Sequence, residues 1–443
     1  MNIEKYKRSQ IFSKFILILG WLSAWFSLSF YPENLTNNFF DLDIYQQINY
    51  LRGLSSLIFF PIILLIFLIF TYKDKIFKKS NLIHNLLILF FSIQLVGLLF
   101  NKNPNINFYY SITSINIVLI TFIFKNYFSE YDINNLLKIS ILILLVIFIY
   151  FSFNYIKESI IFNTNLYKVW GKLDLDNVSN FYDSPKPTGL SRTAFIILMF
   201  FIVISFKDKN NFWISLITVL TISMIILLSS RLVIFNLLIF IFFYLFYFQI
   251  FREKKIISFC KNFILYPILL IFLFNTFLNL NSNSKINNDE LKINIFENKL
   301  KRNFPKFEEK YNKDVLEYFS SGRSKDWQDI LQKNNNIIIG NGVMGDRFLI
   351  NQSASNLIIY SYASSGLIGT ILISIVCLKI FIDTINSISQ RKKILETPYM
   401  LVSCLIIIFL LLRSVLETSF GVFGIDLLLF CLSTAIITKE SKV

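Results

Sequence analysis

The chain has 443 residues, 55% of them hydrophobic, with a mean hydropathy of +0.58. So many apolar runs of about twenty residues exclude a water-soluble globular protein and predict an all-α, polytopic membrane protein. The net charge of +15 would suggest nucleic acid in a soluble chain; here Lys and Arg on membrane loops explain much of it, no RNA- or DNA-binding motif accompanies it, and no nucleic-acid partner is expected.

In chain order, the apolar runs predict about twelve spans, at 14–31, 53–72, 82–100, 108–128, 136–154, 190–206, 212–229, 232–250, 262–280, 356–382, 399–415 and 421–438. The first follows MNIEKYKRSQ without a small-residue cleavage site and reads as an uncleaved span. The fourth is the most polar, carrying Ser111, Thr113, Ser114 and Asn116. With the N-terminus in the cytoplasm, the inner segments collect the basic clusters Lys5–Lys14, Lys73–Lys79, Arg252–Lys261 and Arg391–Lys393. The short outer loops hold only Arg52, Lys102, Arg231 and Arg413. That asymmetry puts both termini in the cytoplasm.

Two outer segments are long. Residues 155–189 form a polar loop ending in SPKPTG, and residues 281–355 form a loop between the ninth and tenth spans that exceeds any simple connector. In the larger loop Phe307, Tyr311, Val315 and Tyr318 share one helical face, as do Trp327, Ile330 and Leu331. The expectation is one transmembrane domain over residues 1–443, with 281–355 as a loop subdomain of short helices over an outer cavity. Cys260, Cys377, Cys404 and Cys431 lie in spans or beside cytoplasmic loops, so no disulfide is expected. The single histidine, His84, and the absence of CxxC leave no ordinary zinc site. No metal or cofactor is expected. The many Phe and Asn residues fit an AT-rich genome and carry no functional weight.

Four arginines fall on the outer side: Arg192 in PTGLSRTAF, Arg231 in LLSSRLVIF, Arg323 in SSGRSKDW and Arg413 in LLLRSVLETSF. Arginine stays charged when partly buried, and its planar fork suits phosphate. A single arginine at a span end commonly snorkels to headgroups; four on one side, in a chain whose topology needs only some of them, point to an anionic ligand. Arg413 and Glu417 stand at i,i+4, the spacing of a local helical ion pair. Outer-side carboxylates that could serve as a general base are Glu417, Asp326, Asp346 and, less favoured, Asp183. Glu417 reads equally well as a brace for Arg413.

These segments resemble the O-antigen polymerase and O-antigen ligase superfamily of bacterial envelope proteins (Wzy-like). The motifs that carry the resemblance are the span-opening Arg192, the SSR hairpin at Arg231 and SGRxxxW from Arg323 to Trp327. Next come GNG at Gly340–Gly342, SNLIIYSYASSGLIG at Ser355–Gly369 and RSVLETSFG at Arg413–Gly421. They cover the second half of the chain. The resemblance implies a metal-independent glycosyltransferase of the bacterial inner membrane, with its active site on the periplasmic face. Its substrate would be an oligosaccharide linked to undecaprenyl diphosphate, and a chain-length regulator is a candidate protein partner. On this reading Arg192, Arg231, Arg323 and Arg413 bind the diphosphate, and Arg323 and Arg413 also stabilise charge as it departs. Glu417 acts as base or orienter, and Asn356, Asp326 and Asp346 make secondary contacts. Ligases of the superfamily carry a His-Asn pair eleven residues before a GxxG; here Ser355-Asn356 stands there, before Gly366 and Gly369. This favours polymerase over ligase. From a different class, a lipid-linked oligosaccharide flippase would also suit twelve spans, although a carrier would more often show two similar halves with polar residues near the midplane.

Overall fold

The computed structural model describes residues 14–21, 57–69, 82–100, 104–161, 187–205, 212–228, 230–244, 264–282, 323–350, 352–390 and 397–440, with positions 47 and 166. Regular structure among the described residues is entirely helical. In chain order the main helices are α1 (Leu82–Gly97), α2 (Pro104–Tyr127), α3 (Glu130–Ile161), α4 (Pro187–Ser205), α5 (Phe212–Leu227) and α6 (Arg231–Tyr244). They are followed by α7 (Tyr266–Ser282), α8 (Arg323–Lys333), α9 (Gly345–Ile350), α10 (Leu357–Ser389), α11 (Pro398–Ser414) and α12 (Ile425–Glu440). The starts of several are written in the sequence. Pro104, Pro187 and Pro398 each open a helix at a position where the missing N–H costs nothing. Ser129 and Asp132 form a reciprocal capping box ahead of α3: the Ser129 hydroxyl accepts from Asp132 N at 3.2 Å, and the Asp132 carboxylate accepts from Ser129 N at 3.1 Å.

Four helical stretches, Leu82–Phe100, Phe108–Tyr127, Glu130–Ile161 and Leu357–Ser389, are long and apolar enough to cross a membrane. Shorter apolar helices include Leu57–Ile69, Pro187–Val203, Phe212–Leu227, Arg231–Phe242, Tyr266–Thr276 and Pro398–Ser414. The predicted face Phe307, Tyr311, Val315 and Tyr318, together with Asp183, lies outside the described residues.

The chain divides into two compact units: residues 1–144, 180–185 and 329–443, and residues 145–179 and 186–328. In the first unit α1 lies against α2 and α10, α2 against α12, and α11 against both α10 and α12. Helix α2 is the pillar of this bundle. Of its most apolar stretch 83% is buried, against 39% for α10, whose Leu367, Ile371, Leu378 and Phe381 face outward. That explains why the fourth predicted span reads as weakly apolar: Ser111, Thr113, Ser114 and Asn116 are all buried among protein rather than turned to lipid. In the second unit α4 packs on α5 and α6, and α5 packs on α7. Phe195 meets Phe240 edge-on at 6.0 Å between α4 and α6.

Candidate active site

The C-terminal part of the long 281–355 segment docks against a break in a membrane-length helix. Helix α10 is interrupted at Gly366, where φ is 61° and ψ −159°, a region essentially confined to glycine. A β-carbon there would fall 2.2 Å from the Ile338 carbonyl oxygen. A break strips nearby carbonyls and N–H groups of their helical partners, and an unpaired backbone group away from water costs several kcal/mol. Residues 334–342 supply the replacements. Asn334 Nδ2 donates to the Tyr362 carbonyl at 3.1 Å, Asn341 N to the Ala363 carbonyl at 2.9 Å, and Gly342 N to the Ser364 carbonyl at 2.9 Å. In the opposite direction Leu367 N donates to the Ile337 carbonyl at 2.8 Å. Asn341 Nδ2 also donates to Asn334 Oδ1, and Asn336 Nδ2 to Asn341 Oδ1, both at 2.9 Å. From α1, Gln94 Nε2 reaches the Ser364 hydroxyl at 3.2 Å. The GNG motif is therefore the inner edge of a loop clamped onto the break. Gly340, at φ 76°, has no room for a side chain, because a β-carbon would lie 2.5 Å from the Ser364 backbone.

The same loop fixes Asp346. The carboxylate is buried, and its Oδ2 accepts from Ala354 N at 2.7 Å. This pins α9 against the approach to α10, where Ile330, Ala354, Tyr360 and Ala363 form a small core. Burial pushes the Asp346 carboxyl above its ordinary range, against the lowering effects of the Ala354 N–H and the neighbouring Arg347. Within α8, Ile330 enters this core while Leu331 is exposed, so the expected common face of Trp327, Ile330 and Leu331 breaks at Leu331.

Asn356 is the N-cap of α10. Its Oδ1 accepts from Ile358 N at 2.9 Å and Ile359 N at 3.1 Å, and its Nδ2 donates to the Val415 carbonyl at 2.9 Å. Both ends of the amide are thus committed to holding the start of α10 on the end of α11. Ser355 before it sits at φ 49°, and a 3.4 Å contact joins its hydroxyl to the Ser353 carbonyl.

The RSVLETSFG motif is where the two helix ends meet. Helix α11 stops at Ser414, Val415–Thr418 turn away, and Ser419–Gly421 form a short 3₁₀ turn before α12. The expected i,i+4 pair of Arg413 with Glu417 does not form, because the helix ends between them. Arg413 Nη1 instead pairs with Asp426 Oδ2, in the first turn of α12. The side chains of Arg413 and Asp426 are 15% and 5% exposed. Both helix ends favour this arrangement, a cation at the α11 C-terminus and an anion at the α12 N-terminus. Ser419 Oγ donates to the Leu410 carbonyl at 3.2 Å, and Phe420 stacks on Phe430 at 3.9 Å, which fixes the turn. Glu417 is half-buried and makes no ion pair among the described residues. Asp426 is the residue that sequence reasoning missed. Its only local signal is a carboxylate two residues after the glycine of FGID, at the start of the last span.

The remaining candidates belong to the second unit. Arg192 lies half-buried in the second turn of α4. Arg231 is exposed as the first residue of α6, just past the end of α5 at Leu227. Arg323 opens α8, with Asp326 half-buried in the same first turn. The structure thus gathers Arg413, Asn356 and Glu417 around the α10 and α11 ends, places Asp346 in the first turn of α9, and puts Arg192, Arg231, Arg323 and Asp326 in the other unit. No protein-family model matches this sequence, and no curated protein or solved structure matches it either.

Proposed function

We propose that the chain is a polymerase for O-antigen or a similar surface polysaccharide. It is a metal-independent glycosyltransferase acting at the periplasmic face of a bacterial inner membrane, in a twelve-span frame with both termini in the cytoplasm. A lipid-linked repeat unit offers a hydroxyl, which attacks the anomeric carbon of a growing glycan on a second carrier. The new glycosidic bond forms as the bond to undecaprenyl diphosphate breaks, and the hydroxyl proton passes to a base. The largest electrostatic task is the negative charge that develops on the departing diphosphate. Arg413 is assigned to that charge. Arg192, Arg231 and Arg323 are assigned to the same role from their sequence motifs. Glu417, free of a competing cation among the described residues, is assigned as the base.

The observation that carries this reading is the 413–421 motif, which ends an apolar helix with a mostly buried arginine and follows it, four residues on, with a half-buried carboxylate. Ser355, standing where ligases of the resembled superfamily carry histidine, favours the polymerase branch. Arg413→Ala or Arg231→Ala should abolish chain elongation in cells while membrane levels stay intact. Polymer banding reads the result: single repeat units should remain, and polymer of normal length from either variant would sink the assignment of that arginine.

A further inference from the structure

We propose that Asp426 is the positioning residue that aims Arg413 at the carrier diphosphate; this rests on the polysaccharide-polymerase reading above. An arginine at the end of an apolar helix has a long, rotamer-rich side chain, and its default course is to snorkel toward the headgroups. Arg413 does not take it. Its guanidinium turns into the bundle and meets Asp426 across the α11–α12 turn, where only 15% of its side chain remains exposed. The carboxylate that holds it is more deeply buried than the arginine itself, so Asp426 is the fixed partner and Arg413 the held one.

The surroundings keep Asp426 rigid. It sits in the first turn of α12, where the helix dipole favours an anion. The preceding turn is locked by Ser419 bonding back to α11, by the Phe420–Phe430 stack and by Phe423 stacked on Tyr110 of α2 at 4.3 Å. Asn356 ties the Val415 carbonyl to the cap of α10, so the α11 end is held as well. A guanidinium recognises phosphate through parallel N–H bonds in one plane, and that recognition needs the plane fixed before the ligand arrives. A carboxylate on one Nη fixes it. An ion pair serving only to join α11 and α12 would still join them with its two charges exchanged, though weakened by the two helix dipoles; a pair that aims a phosphate ligand would not work at all.

That difference gives the test. The full chain in lipid nanodiscs is given undecaprenyl-diphosphate-linked repeat units, elongation is followed against donor concentration, and binding of undecaprenyl diphosphate alone is measured in parallel. Asp426→Asn should lower kcat/KM roughly 10- to 100-fold, the scale of a lost charge-assisted bond, with weaker undecaprenyl diphosphate binding and a smaller loss in Asp426→Glu. The exchanged variant Arg413→Asp with Asp426→Arg should recover part of the thermal midpoint lost in the single changes, the helix dipoles opposing the rest, yet stay inactive. Wild-type binding and turnover in Asp426→Asn, or restored elongation in the exchanged variant, would overturn the positioning role alone. A wild-type chain that neither binds undecaprenyl diphosphate nor elongates would overturn the polymerase reading and, with it, this assignment.

Discussion

Helices α2 and α10 handle polarity inside an apolar bundle in opposite ways. Helix α2 carries its polar groups on side chains, and Thr113, Ser114 and Thr121 bond back to the helix itself. Thr113 Oγ1 bonds the Tyr109 carbonyl at 3.0 Å, Ser114 Oγ the Tyr110 carbonyl at 2.9 Å, and Thr121 Oγ1 the Ile117 carbonyl at 2.9 Å. These bonds are local and leave the backbone ladder unbroken. Helix α10 has the more apolar sequence, but its polar problem lies in the backbone, opened at Gly366. Its carbonyls and N–H groups are answered by residues 334–342, a segment that precedes the helix in sequence. The comparison shows that the hydropathy of a span and the difficulty of building it are separate quantities.

The comparison can be broken most forcefully at Gly366. Gly366→Ala puts a β-carbon into the Ile338 carbonyl and forces alanine into a glycine-only conformation. A loss of more than about 3 kcal/mol is expected, seen as a collapse of the thermal midpoint in detergent or as failure to accumulate in membranes. A midpoint within a few degrees of wild type would mean that α10 runs unbroken. One step smaller, Asn341→Ala removes the amide that links Asn334, Asn336 and the Ala363 carbonyl, while the Asn341 N–H stays in place. The expected cost is about 2 kcal/mol, with residues 334–342 exchanging amide hydrogens faster and α2 unchanged. Uniform loss of protection across both helices would argue against the loop as a separate clamp. The smallest effect belongs to α2. Ser114→Ala deletes a hydroxyl whose carbonyl partner lies in the same helix, and it should shift stability by less than about 0.5 kcal/mol. A cost as large as that of Asn341→Ala would erase the distinction between the two helices.

Individual residues at the α10 and α11 ends could be read from the chain, and what could not shares one physical origin. Asn356 was legible as the residue before a long apolar run, and its cap bonds are local. The glycines at 340, 342 and 366 stood in the motifs that carry the resemblance, but their shared purpose was not legible. It lies in bonds from Asn334 to Tyr362 and from Gly342 to Ser364. Arg413 stood out as charge in an apolar run, yet the natural partner by spacing, Glu417, is the wrong one. A helical i,i+4 rule holds only while the helix continues, and α11 ends at Ser414.

The sequence by itself determined the helical class, the apolar segments, where several helices begin, and the presence of charge at helix ends. These follow from periodicity, hydropathy and capping, each of which acts over a turn or two of chain. Only the tertiary structure decided that Asp426 holds Arg413, that the polar fourth span is the buried pillar of its unit, and that a loop completes the broken α10. Those outcomes depend on which groups are left without partners once the helices pack, and on the chain's need to satisfy each of them away from water.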